Sequence, residues 1–272
     1  MKILLLKFRN IGDVLLSTPL VNNLRHHYPN AQIDFCVNKE TEAMLTLNPN
    51  LNKIITYDRI AIKSLTSIKR FWRELQFIRS FKKENYDVVI NLTSGDRGNL
   101  IAWISNATTR IGYSNKSWFF RKSLTHELPK QELRHTVDAS LDPLRLLNIP
   151  ISNKLVEIFW SSKDEQAISS ELTNINNFIH LHPVSRWLFK CISDNTMAQI
   201  IDYCQLNIGL KVVITASEDK FEVEKVNKIL SLTKSKPINL SGKLSLKETA
   251  ALNKKAKLFI GVDTSIMHIS AS

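Results

Sequence analysis

The chain has 272 residues, of which 43% are hydrophobic, so it is long enough for two ordinary globular domains with real cores. Lys and Arg number 37 against 25 Asp and Glu, and the resulting net charge of +12 favours an anionic partner: a nucleotide, a phosphorylated glycolipid, an acidic membrane surface or nucleic acid. The three cysteines form no CxxC pair, which predicts reduced thiols and no structural zinc. No apolar run is long enough for a signal peptide or a membrane span, which predicts a cytoplasmic protein.

The first half of the chain alternates between strand and helix patterns. From Asp13 onward the apolar residues have the spacing of a helix. A break is expected near Ser17 and Thr18 because Pro19 disrupts a continuous helix. A long basic amphipathic segment covers 62–83, and a further helix is predicted over 135–147. The predicted strands are 3–7, 31–37, 54–57, 86–92 and 110–113.

The same alternation restarts after a polar segment at 149–162. Strands are predicted over 178–182, 210–215, 238–240 and 258–261, with helices over 194–206, 221–232 and 245–254 and a last helix opening near Thr264. Strands that alternate with helices in this way predict a doubly wound α/β fold with a mainly parallel sheet. We therefore predict two domains, 1–155 and 156–272.

Three polar loops follow predicted strands, which is where open α/β sheets bind ligands. In the first, Gly12 suits a tight turn, and Asp13 suits either an N-cap or a base that takes a proton from a hydroxyl. The second offers Ser185, Arg186 and Lys190, a set that suits a diphosphate but is also common in solvated loops.

The third polar loop runs from Gly261 to His268. A helix is predicted to begin near Thr264 and Ser265, and its free backbone N–H groups would favour an anion. Thr264 and His268 are four residues apart and share one helix face, although His268 is equally consistent with a structural role.

Three segments together resemble the family-nine glycosyltransferases, the heptosyltransferases of lipopolysaccharide core assembly. They are 11–19 (IGDVLLSTP), 182–191 (HPVSRWLFKC) and 261–268 (GVDTSIMH), with weaker matches at 110–113 and 135–138. The middle segment is most similar to the heptosyltransferase III branch, which adds the third core heptose.

The resemblance implies a glycosyltransferase-B fold, in which two Rossmann-like domains face each other across a cleft. It implies inverting, metal-independent transfer from ADP-heptose to a phosphorylated lipopolysaccharide core, by a protein that touches the anionic inner face of the inner membrane. Asp13 is then the expected general base. The expected donor-binding residues are Ser185, Arg186, Lys190, Glu218, Asp263, Thr264, Ser265 and His268, and the expected acceptor-binding residues are Lys7, Arg9, Arg59, Lys63 and His135.

Two alternatives stay open at this point. Family members continue beyond the helix of His268, so we expect a C-terminally truncated chain with an incomplete second domain, and an inactive truncated relative is one alternative. Another nucleotide-sugar transferase of the same fold is the second. Nucleic-acid binding is disfavoured because the basic residues are dispersed and no RNA-recognition or zinc-module signature is present.

Overall fold

The computed structural model describes residues 1–114, 123–129, 134–173 and 175–272. The chain divides into two compact units, Met1–Glu157 and Ile158–Ser272. Each unit is built on its own parallel sheet with helices packed against it. None of the helices in the described ranges is long and apolar enough to cross a membrane.

The sheet of the first unit is parallel throughout and has the order β3-β2-β1-β4-β5-β6. Its central strand carries the aliphatic run Ile3 to Leu6, and all four side chains are buried because helices cover both faces of a parallel sheet. The strands are β1 (Lys2–Lys7), β2 (Gln32–Asn38), β3 (Lys53–Tyr57), β4 (Val88–Asn91), β5 (Thr109–Tyr113) and β6 (His126–Leu128).

Proline positions divide two of the predicted helices of this unit. Pro19 lies in the first turn of a second helix, as the sequence predicted, whereas the single helix predicted over 135–147 is split at Leu141 ahead of Pro143. The helices are α1 (Ile11–Leu15), α2 (Thr18–His27), α3 (Arg59–Lys63), α4 (Ser67–Ser80), α5 (Asp96–Ile104), α6 (Thr136–Ser140) and α7 (Asp142–Leu146), with 3-10 turns at Lys39–Met44 and Phe81–Glu84.

Helix α5 and strand β6 were not predicted from the sequence. The stretch that opens α5 has the composition of a loop, but a close approach to β4 stabilises it as a helix. A Cβ atom at Gly98 would lie 2.3 Å from the Asn91 side chain, so only glycine fits there. Asn91 Nδ2 donates to Asn99 Oδ1 at 2.8 Å, and both amides are buried. This pairing fixes α5 against the strand that borders the first candidate site.

The sheet of the second unit is also parallel and has the order β10-β7-β8-β9. Its strands are β7 (Phe178–His182), β8 (Lys211–Ile214), β9 (Ile238–Asn239) and β10 (Leu258–Gly261). Its helices are α8 (Ser162–Glu171), α9 (Asp194–Asp202), α10 (Lys220–Leu232), α11 (Leu246–Lys255) and α12 (Ser265–Ser270), with a π turn at Tyr203–Asn207 and a 3-10 turn at Leu188–Lys190.

Successive residues of β8 point to opposite faces of this sheet and belong to two separate cores. Val212 and Ile214 pack with α9 and α10, whereas Val213 packs with α8 and α11. Strand β10 is an edge strand, and its Leu258 and Ile260 line an open apolar groove of about 470 Å³ together with Tyr203 and Ile208. Apolar side chains on this edge of the second sheet are therefore accessible to solvent.

Candidate functional site

The first candidate site lies where the strand order of the first sheet reverses. The chain runs from β1 to β2 on one side and returns to β4 on the other, so the loops after β1 and β4 diverge and leave a crevice of the kind that binds ligands. Arg9 Nη2 donates to Ser94 Oγ at 3.0 Å, and the N–H of Phe8 donates to Thr93 Oγ1 at 2.8 Å. These two bonds tie the loops together at the edge of the sheet.

Asp13 lies beside this crevice, but it is not the N-cap of α1. The cap is Asn10, and Asp13 is the third residue of the helix, where its Oδ2 accepts the N–H of Asn10 at 3.3 Å. The N-cap interpretation was therefore wrong, and so was the turn assigned to Gly12, which lies inside α1. The chain turns into the helix at Asn10, two residues before Gly12. Asp13 is half-buried, and its role as a base stays a prediction.

Lys7 is the last residue of β1 and is only 5% exposed. Burial lowers the pKa of the Lys7 ammonium to about 8, while the nearby Asp13 carboxylate acts in the opposite direction. The two opposite charges therefore interact at the start of the loop after β1. Direct contact of Lys7 with an acceptor stays a prediction.

The other predicted acceptor residues lie on elements away from β1. Arg59 opens α3 and forms an ion pair with Glu40 at 3.3 Å, and Lys63 ends the same helix in an exposed position. His135 caps α6, where its Nδ1 accepts the N–H of Val137 at 3.3 Å. Arg59 and His135 thus have local structural partners, and an acceptor role for all three residues stays a prediction.

The second candidate site lies where the strand order of the second sheet reverses. Strands β8 and β9 follow β7 on one side, and β10 returns to its other side. Lys190, after β7, donates from its Nζ to Asp263 Oδ2, after β10, at 2.6 Å. Lys190 is 29% exposed in this pair, so its ammonium is still accessible. The structure therefore brings together two predicted donor-binding residues that are 73 positions apart.

The remaining predicted donor-binding residues lie in loops after β7, β8 and β10. The Ser185 hydroxyl is buried and accepts the N–H of Trp187 at 3.3 Å. Thr264 is the N-cap of α12 and accepts the N–H of Ile266 at 3.2 Å, so helix capping accounts for its hydroxyl. Arg186 and Glu218 are exposed in the loops after β7 and β8, whereas Ser265 and His268 are half-buried in α12. Contact of these residues with a donor stays a prediction.

A buried histidine network supports the end of β7, and sequence reasoning missed it. His180 Nε2 and His182 Nδ1 lie 2.7 Å and 2.9 Å from Thr215 Oγ1, and His180 Nδ1 lies 2.5 Å from Asn253 Oδ1. Burial lowers the pKa of His180 to about 4 and that of His182 to about 3. Both rings are neutral at pH 7 and fix the strand that leads into the Ser185 loop. The sequence feature that could have revealed this network is the pair of histidines within a strand of buried residues.

We expect this network to make the second unit sensitive to acid. The unfolded chain binds protons at both histidines below about pH 6.5, whereas the folded chain does not until about pH 4, so stability falls as the pH falls through this window. Each histidine should lower the free energy of unfolding by about 1.4 kcal/mol per pH unit. Urea unfolding at pH 7, 6 and 5 measures this slope.

Two variants distinguish the contribution of the histidines to this slope from that of the carboxylates, which also titrate in acid. His182→Asn should reduce the slope by about 1.4 kcal/mol per pH unit, the contribution of one histidine, and His27→Asn, at an exposed position in the first unit, should keep it. An unchanged slope in His182→Asn would contradict the proposed protonation.

Two parallel α/β units, each with polar loops where its strand order reverses, are the architecture of the GT-B fold. Residues 74–272 match glycosyltransferase family 9 (heptosyltransferase). The chain belongs to this family and is a glycosyltransferase.

Curated relatives and solved structures agree with this membership. The chain is 30% identical to lipopolysaccharide heptosyltransferase 3 of Escherichia coli over 268 residues, which is 96% of the chain and 77% of the relative. The crystal structure of a family 9 glycosyltransferase from Veillonella parvula matches with a TM-score of 0.87 and 24% identity, over 99% of the chain and 77% of that protein. The E. coli heptosyltransferase WaaC, solved with ADP-2-deoxy-2-fluoro heptose, matches with a TM-score of 0.77 and 16% identity, over 100% of the chain and 85% of that protein.

Proposed function

We propose that this protein transfers heptose from ADP-heptose to the inner core of lipopolysaccharide, with inversion at the anomeric carbon. The observation that carries the proposal is the Lys190–Asp263 pair where the strand order of the second sheet reverses, in a chain of the heptosyltransferase family. An accessible ammonium at such a point suits the diphosphate of a nucleotide sugar.

The second unit is the proposed donor-binding unit. An ammonium has three N–H donors, so Lys190 can hold Asp263 with one and bind diphosphate oxygens with the others. Arg186 adds a second positive charge in the same loop, and Ser265 and His268 lie beyond Asp263 on α12. Asp263 is 60% exposed, so its ion pair adds little to stability, and we assign it the task of orienting Lys190. Glu218 is assigned to the ribose or the base.

The first unit is the proposed acceptor-binding unit, with Asp13 as the general base. In the reaction, the acceptor hydroxyl attacks the anomeric carbon and gives its proton to the Asp13 carboxylate. The bond from that carbon to the diphosphate oxygen breaks, and ADP leaves with the electron pair. Lys190 stabilises the negative charge that develops on the leaving diphosphate. Lys7, Arg9, Arg59, Lys63 and His135 are assigned to the phosphorylated acceptor.

Two further features belong to the proposal. Positive side chains, Lys190 and Arg186, replace a metal ion at the leaving group. The acceptor is lipid-linked, so the protein works in peripheral contact with an anionic membrane surface.

Nucleotide titration combined with a transfer assay tests this function. ADP and ADP-heptose should bind at least tenfold more tightly than UDP and UDP-sugars, measured by calorimetry. Lipopolysaccharide from a heptose-deficient strain should gain one heptose by mass spectrometry when ADP-heptose is supplied, with and without EDTA. Tighter binding of UDP would favour another nucleotide-sugar transferase, and ADP-heptose binding without transfer would identify an inactive relative.

A further inference from the structure

Helix α4 presents an apolar face to solvent in the first unit. Ile68, Phe71 and Trp72 are 73%, 62% and 61% exposed. Positions i, i+3 and i+4 are neighbours on a helix surface, so these three side chains lie side by side. The Phe71 and Trp72 rings are in edge contact, with their centroids 5.9 Å apart. We refer to Ile68, Phe71 and Trp72 as the α4 apolar face.

The side of α4 that carries Glu74, Phe77 and Ile78 is anchored in the unit. Glu74 accepts hydrogen bonds from the Tyr57 hydroxyl and from Arg97, whose Nη2 and Nε lie 2.9 Å and 3.2 Å from its two oxygens. The Phe77 ring packs on Tyr57 at 5.1 Å, and Ile78 is buried. The inner side therefore fixes the helix, and the apolar face is held outward although its burial would stabilise the protein.

Positive charge surrounds the α4 apolar face. Residues 59–83 contain eight Lys and Arg and a single acidic residue, Glu74, which is bound to Arg97. The whole first unit has 23 Lys and Arg against 14 Asp and Glu, so most of the protein's excess charge lies here. Exposed bases on α4 itself are Lys69, Arg70, Arg73 and Arg79.

An anionic bilayer fits this combination better than any other partner. Helices that lie in a membrane interface have tryptophan, phenylalanine and aliphatic side chains on one face and lysine and arginine on the other. A nucleic acid or an acidic peptide would use the cations but would leave the exposed Ile68 and Phe71 without a role. Tryptophan is also favoured at the depth of lipid headgroups, because its ring is amphipathic.

We propose that α4 docks the first unit on an anionic lipid bilayer. Phe71 and Trp72 enter the interfacial layer together with Ile68, and Lys69 and Arg73 contact lipid phosphates. This inference deepens the membrane contact of the proposed function by assigning its surface. Vesicles without any acceptor glycolipid test it, so its failure is distinct from a failure of heptose transfer.

Co-sedimentation with sucrose-loaded vesicles measures the binding. The full chain should bind vesicles with 30% phosphatidylglycerol at least tenfold more strongly than pure phosphatidylcholine vesicles, because each bound cation contributes about fivefold near an anionic surface. Phe71→Ser/Trp72→Ser should lower binding to the anionic vesicles at least tenfold. Its transfer to a soluble, deacylated acceptor should match the wild type, since neither side chain belongs to the proposed reaction.

A matched variant in the second unit controls for the loss of exposed apolar surface. Tyr203→Ser/Leu206→Ser removes two comparably exposed side chains and should bind vesicles like the wild type. Equal binding of Phe71→Ser/Trp72→Ser and the wild type would overturn the proposal. So would displacement from the vesicles by millimolar inorganic phosphate at constant ionic strength, because the surface would then bind phosphate groups and not a bilayer.

Discussion

Replacing Asp13 by asparagine is expected to lower the turnover of heptose transfer by about 10²–10⁴-fold, which is the usual contribution of a general base. Asparagine preserves the size of the side chain, and its amide oxygen can still accept the N–H of Asn10. It cannot accept a proton from the acceptor hydroxyl at neutral pH. Steady-state kinetics with ADP-heptose and a core acceptor give the turnover, and calorimetry with ADP gives the donor affinity.

If Asp13 is the general base, the substitution must lower the turnover without lowering the donor affinity. Donor affinity should stay within about twofold of the wild type, because ADP is assigned to the other unit. Glu42→Gln is the matched control, since Glu42 is another half-buried acid near the start of a helical turn in the first unit. It should keep normal turnover. If Asp13→Asn retains full turnover, or loses donor affinity and thermal stability to the same degree as turnover, Asp13 is a structural helix residue.

Replacing Lys190 by alanine is expected to weaken ADP and ADP-heptose binding by about 10–100-fold, because a hydrogen bond to a charged group contributes about 1.5–3 kcal/mol. The loss has two parts. The ammonium no longer neutralises the diphosphate, and the exposed Asp263 carboxylate, freed from its partner at 2.6 Å, repels it. Calorimetric titration with ADP measures the effect.

Asp263 and an exposed lysine elsewhere in the second unit define the controls for this variant. Lys190→Ala/Asp263→Asn should recover part of the lost affinity, because it removes the repelling charge as well. Lys220→Ala, at an exposed position that opens α10 in the same unit, should bind ADP like the wild type. Unchanged ADP affinity in Lys190→Ala would remove this residue from the donor site.

Much of the strand framework was predictable because it depends on local sequence. A run such as Ile3 to Leu6 must be buried on both faces, and the strands β7 and β10 were predicted with the bounds that the structure gives them. The break ahead of Pro19 follows from the proline ring itself. Helix α5 was missed because its stability depends on the contact of Gly98 with Asn91, which no local pattern reveals.

For the candidate sites, the sequence located the polar loops but not the partners of their side chains. The loops after β1, β7 and β10 could be named in advance, because parallel sheets bind ligands at the carboxyl ends of their strands. The N-cap assignment of Asp13 failed, because Gly12 looked like a turn residue and the chain had already turned at Asn10.

The sequence by itself determined the alternation of strands and helices, the family motifs and the excess of positive charge in the first unit. The tertiary structure alone decided that Lys190 meets Asp263, that Lys7 is buried beside Asp13, and that one side of α4 is anchored while its apolar face stays exposed. The physical reason is the distance along the sequence over which each kind of interaction acts. Hydrophobic periodicity acts over a few residues, whereas these contacts join positions that only the order of the strands brings together.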